Sequence, residues 1–167
     1  MLKPAILFKD ELDKMFAEEI YTDRYFYYVG YAYGFELPNI RVQDYYYQWA
    51  ILQKDENSEY QIVGYLAYHI DSLIDSVDRF GLYSFDEGNL KVIEEVYNIL
   101  TDLCKNHHRV EWRVIEGNHA KRGYDNFVKK MSESGYETYT YHFHDITKDP
   151  KGNMVGDYFY EIINPNK

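Results

Sequence analysis

Glu111 and Arg113 stand two residues apart in the run RVEWRVIEGN, so on a strand they share one face. On a buried strand such a pair perturbs its own pKa values and marks a site. The same pair would equally serve as a structural salt bridge. Glu111, Glu116 and His119 are the groups of this stretch able to act as a general base. His142 and His144 repeat the two-residue spacing, which supplies two metal ligands without a third, so no metal is expected. The single cysteine, Cys104, excludes an internal disulfide and a cysteine-based zinc cluster. Gly-x-Ser-x-Gly, His-Glu-x-x-His and Walker-type phosphate loops are absent.

The element that must position these groups is Arg109 to Tyr136, read as a strand, a break at Gly117-Asn118 and a helix. Val110, Trp112, Val114 and Ile115 are β-branched or aromatic, as strands favour. Tyr124, Phe127, Val128 and Met131 then recur at helical steps, and Gly135 stands where a helix stops.

Ahead of this unit, Leu7 to Ile20 predicts an amphipathic helix, and Tyr21 to Leu37 a short second helix followed by a loop at Gly30 and Gly34. Tyr45 to Lys54 and Tyr60 to Asp71 read as an antiparallel hairpin. Strict alternation in the second strand puts Ile62, Gly64, Leu66, Tyr68 and Ile70 on one face, with Val63, Tyr65, Ala67 and His69 on the other. Asp75 to Phe85 is a third strand, in which Gly81 marks a bulge or a close backbone approach. A helix from Leu90 to Lys105 follows, capped by Asp86 or Asn89, with Cys104 on its apolar face as a small buried residue. Glu137 to Ile146 and Asn153 to Ile163 are late strands joined by a turn at Pro150 and Gly152. This order predicts an α/β protein, a mixed sheet with helices on both faces, in one domain of residues 1–167.

Aromatic residues make up 19% of the chain, including 20 tyrosines, so it holds either an aromatic-rich core and surface or a groove lined with hydroxyls. A net charge of −10 opposes binding to nucleic acid and suits a cationic substrate such as an amine. Neither a signal peptide nor a long apolar run is evident, so a cytoplasmic protein without a membrane span is expected.

Asn118 at a strand end, Ala120 and Tyr124 on the next helix, then Gly135 with Tyr136, resemble the C-terminal half of the GNAT superfamily of N-acetyltransferases. The segment YQIVGYLAYHID is similar to a strand of the same fold, and VEWRVIEGN followed by A-x-x-x-Y-D is similar to a divergent branch from bacteria and their phages. The likeness runs from Ile62 to Ile163. It implies a GNAT-like central mixed sheet and transfer of an acyl group from acetyl-coenzyme A, or another acyl-CoA, to a small-molecule or peptide amine. The protein would act as a monomer or homodimer.

The resemblance also implies roles. Leu82, Ser84, Phe85, Gly88, Asn89 and Asn118 would contact the cofactor, its pyrophosphate at the helix start after Gly88 and its arm in a gap beside the central strand. Amides and the dipole at a helix start favour such an anion. The family pattern there is Arg or Gln, two residues, Gly, one residue, then Gly or Ala; Phe85-Asp86-Glu87-Gly88-Asn89 keeps one glycine and adds two negative charges. Tyr124 would protonate the leaving thiolate or merely pack on the sheet. Glu111 or Glu116 would serve as base. Tyr25, Tyr28, Tyr31 and Tyr33 would face the acceptor or pack the first helix. The alternative is a protein of this fold that has lost or changed catalysis and acts as a binding module.

Overall fold

The computed structural model describes residues 1–27 and 37–167. Tyr28, Tyr31 and Tyr33, and the loop expected at Gly30 and Gly34, lie outside the described residues. The chain runs β1 (Leu2–Pro4), a 3-10 turn (Ala5–Phe8), α1 (Lys9–Glu19), the single turn α2 (Asp23–Tyr25), β2 (Tyr46–Lys54), β3 (Tyr60–Asp71) and β4 (Ser76–Ser84). Then come α3 (Leu90–Asn106), β5 (Arg109–Ile115), α4 (Lys121–Glu133), β6 (Glu137–Lys148) and β7 (Met154–Ile163). The sequence pattern does not announce β1, because three residues carry no period, and the helix expected from Leu7 begins at Lys9 after the 3-10 turn.

All the strands join one sheet in the order β1-β2-β3-β4-β5-β7-β6. β4 and β5 pair in parallel and the other pairs are antiparallel. The mixed α/β sheet with helices on both faces is therefore as the element order predicts. On one face α3 and α4 lay Val92, Val96, Leu100, Tyr124, Phe127 and Met131 against Leu66, Val110, Trp112 and Tyr160. On the other, α1 sets Leu12 and Phe16 against Ala50, Tyr65, Ala67 and Tyr83 of β2 to β4. Cys104 is buried in the first core, and burial pushes its thiol up to about 12. No helix among the described residues is long and apolar enough to cross a membrane.

Three bulges correct the simple alternation. Leu52 pairs with Ile62 and Ile51 with Gly64, so Val63 is an extra residue. It turns to the α3 face while Ile62 turns to the α1 face, the reverse of the expected sides. In β4 the irregularity falls at Asp78-Arg79, between the pairs Val77 with Val110 and Phe80 with Trp112. Gly81 is therefore not the bulge; a Cβ there would meet open space. In β6 the residues His144 to Ile146 stand opposite Gly156.

Candidate active site where β4 and β5 part

Arg79 holds a left-handed backbone, φ 52°, which is uncommon for a residue with a side chain. Bulges bend a strand and re-aim its side chains. Beyond it, Phe80 and Trp112 are the last β4–β5 partners, although β4 continues to Ser84 and β5 to Ile115. The strands part there. A cavity of about 900 Å³ opens over the gap, walled by His69, Asp78, Leu82, Glu111, Arg113, Asn118 and Tyr124 among others. A second cavity of about 350 Å³ lies between the starts of α3 and α4 and includes Leu82, Tyr97, His119, Ala120 and Tyr124. Leu82, Ala120 and Tyr124 belong to both walls, so the two spaces lie side by side at these residues.

Asn118 is held by the turn it ends. Its side-chain oxygen accepts from the Ala120 amide at 2.8 Å, and its side-chain nitrogen donates to the Tyr27 carbonyl at 3.0 Å. Gly117 adopts φ +95°, and a Cβ on it would press on the Tyr27 ring at 2.8 Å. The β5–α4 turn thereby fastens Tyr27, a residue of the cavity wall. Tyr124 is buried, its ring against Trp112, Tyr97 and Tyr160 at centroid distances of 5.5, 6.2 and 6.1 Å. Tyr160 donates to Asp125 at 2.7 Å, and burial together with that carboxylate raises its pKa.

The three base candidates separate. Glu111 faces the cavity and is ion-paired with Arg109, which also binds Glu161. Glu116 lies outside both cavity walls: His142 Nε2 is 2.9 Å from its carboxylate, and the Gly156 amide donates to the same oxygen at 2.9 Å. The His142 hydrogen bond holds the Glu116 carboxyl below its ordinary value, which weakens it as a base. His119 is exposed and pairs with Glu87 at 3.4 Å. Arg113 does not sit on a buried face beside Glu111. Its side chain is half exposed and binds the buried Asp157 at 3.1 Å.

Sequence reasoning missed a pair in the cavity wall. His69 Nδ1 and Asp78 Oδ1 are 2.8 Å apart, both side chains partly accessible. An imidazole held in place by a carboxylate has the geometry of a general base. The available signal was a lone histidine in a β-strand run. Its partner depends on the bulge that pairs His69 with Asp78.

The junction after β4 differs from expectation in detail. Asn89 caps α3, its side-chain oxygen accepting from Lys91 and Val92 amides, while Asp86 contacts the Asn89 side chain at 3.1 Å. Two amides that an anion would use are therefore already engaged. Gly88 has φ +78° with open space beside it. Glu87 is offset by Arg24 at 3.6 Å and lies 3.4 Å from the His119 ring. Ser84 donates to the Asp86 carbonyl at 2.7 Å. Phe85 turns its ring into the α1 core, 5.0 Å from Phe16, away from both cavities.

No protein-family model matches the chain, and no curated protein matches it in sequence. Solved structures do. A ribosomal-protein-alanine N-acetyltransferase from Brucella melitensis aligns over 98% of this chain and 99% of its own, at 15% identity and a TM-score of 0.63. A spermidine N-acetyltransferase from Vibrio cholerae, solved with CoA and spermine, aligns over 98% and 94% at 11% identity and a TM-score of 0.57. Against the structure of a protein described as a probable acetyltransferase the alignment covers 64% of this chain and 58% of that one, with a TM-score of 0.46. The mixed sheet, its parted parallel strands and the likenesses to the Brucella and Vibrio structures together give the chain the fold of the GNAT N-acetyltransferases.

Proposed function

We propose that the protein transfers an acyl group, with acetyl first in line, from an acyl-coenzyme A to an amine. The observation that carries this reading is that Leu82, Ala120 and Tyr124 line both the cavity over the sheet and the cavity between α3 and α4, so the two adjoin there. Two reactants of different shape can enter from different sides and meet at one point, which is the positioning that a group transfer needs. The gap fits a thin arm, since Gly81 leaves its side of the opening without a side chain. The α3 start suits the diphosphate less well, with Asn89 on two amides and Asp86 beside them. Leu82 and Asn118 would hold the arm, and the backbone around Gly88 its anionic end.

Bound acyl-CoA would supply an acyl group activated as a thioester. His69, oriented by Asp78, takes the proton of the incoming amine, and Glu111 is the alternative base in the same wall. The Tyr124 hydroxyl donates a proton to the departing sulfur. An acidic chain favours a cationic acceptor, and amines of the kind named for the structural neighbours, a polyamine or a peptide N-terminus, are the first to try. In this reading the chain is a divergent, bacterial or phage-type GNAT protein whose pyrophosphate loop has shrunk to Gly88, acting as a single cytoplasmic domain.

The acid at Asp86 and the occupied amides favour a second reading, a binding module of this fold without catalysis. Melting scans decide between them. Acetyl-CoA or desulfo-CoA at about 100 times its dissociation constant should stabilise the protein by about 2.7 kcal/mol. Thiol release with spermidine or an alanine-led peptide should follow. An unchanged melting temperature at millimolar ligand would overturn the transferase reading.

A further inference from the structure

We propose that Glu116, His142 and His144 form a binding site for a divalent transition-metal ion of the zinc class, at the edge of the sheet. Their ligand-type atoms all lie within 4.8 Å of one another. The sequence places two histidines on β6 and stops short of a third ligand. The strand order β5-β7-β6 supplies it, because the residue after β5 reaches across Gly156 of β7 to the histidines.

The cluster is held by more than proximity. The Gly156 amide fixes the Glu116 oxygen that faces His142. A Cβ at position 156 would overlap both that oxygen and the Phe143 carbonyl, so the glycine is what lets the carboxylate lie against the strand. Tyr158 stacks on the His142 ring at 4.3 Å and 14°, which limits its rotation. His144 is the first residue of the β6 bulge, and its ring lies 4.1 Å from that of His142.

The donor set chooses the ion. Two imidazole nitrogens and one carboxylate suit zinc and its neighbours, whereas magnesium and calcium prefer oxygen alone. Zinc bonds of about 2.0–2.1 Å in a tetrahedron set ligand atoms roughly 3.3 Å apart. His144 is exposed, so its side chain has room to turn toward the other two ligands. The fourth position then opens to water. None of the three residues lines either cavity, so this site is separate from the proposed transfer site. An ion bound by the three would tie β6, the last strand of the described sheet, to the β5–α4 turn that carries Asn118.

The test uses the full chain without a polyhistidine tag, stripped of metal. Co²⁺ should give a visible ligand-field spectrum that Zn²⁺ displaces at one equivalent, and Zn²⁺ should raise the melting temperature. His144→Ala and Glu116→Gln should each weaken binding at least about tenfold, on the scale expected for disturbing a metal site. The Gln variant keeps an oxygen for the Gly156 amide, so folding without metal should persist. His119→Ala, an exposed histidine outside the cluster, should bind as wild type does. Absence of both the spectrum and the melting shift at millimolar ion would overturn the proposal. So would equal affinity in wild type, His144→Ala and Glu116→Gln, which would mean adventitious binding only.

Discussion

Tyr124 combines two properties that substitution can separate: a ring packed among Trp112, Tyr97 and Tyr160, and a position in the walls of both cavities. Removing one oxygen by Tyr124→Phe should lower turnover by roughly 10²–10⁴ if the hydroxyl is the proton donor. Tyr124→Ala removes the ring as well and should cost on the order of 3 kcal/mol of stability. Thiol release measured with the acceptor found by screening, alongside urea melts, separates the two effects. Full activity in Tyr124→Phe would assign the residue to packing. Tyr124 and Asn118 were legible because each sits at a readable landmark, a helix stripe and a turn. The pairs His69–Asp78 and Glu116–His142 were not. Each forms between strands whose register is set by a bulge or a strand order that no local pattern announces.

At the scale of elements, the helix that follows β4 is set by its cap. Asn89 accepts from two amides of α3, whereas the Asp86 carboxylate accepts from the side chain of that cap residue. Asn89→Ala should therefore cost about 1 kcal/mol. For a chain of this size that is roughly 2–4 °C in melting temperature. Asp86→Ala should shift it far less, and an equal loss in both variants would reject Asn89 as the cap. Strand and helix spans were largely legible, since β2, β3 and α3 each run nine or more residues and α3 keeps its helical spacing throughout. Face assignment failed where a single extra residue entered. Val63 exchanged sides with Ile62, and the bulge at Asp78-Arg79 shifted the irregularity away from Gly81.

At the scale of the molecule, the parallel pair β4–β5 requires the chain to leave the sheet through α3 and return beside its own starting point. Asp75, just before β4, receives that return: its carboxylate takes His107 Nδ1 at 2.8 Å and the His108 amide at 3.0 Å, and its carbonyl accepts from the Arg109 amide at 3.2 Å. The hydrogen bond from His107, with a smaller contribution from the His108 amide, lowers the Asp75 pKa below its ordinary value of 3.8 despite some desolvation. A carboxyl whose pKa is lower folded than unfolded binds protons more readily when unfolded. Its contribution is therefore complete above the ordinary value and is lost as pH falls through the folded one. Asp75→Asn isolates this term, because Asn keeps an acceptor for the His108 amide and tolerates the left-handed backbone at φ 50°. The variant should melt below wild type at pH 7. The gap should hold down to about pH 5 and close as the medium is acidified below the ordinary aspartate range. Melting temperatures of both proteins in one buffer series give that difference directly. A gap that stayed constant into acid would mean that Asp75 holds the crossover by shape and hydrogen bonding, with its charge contributing nothing.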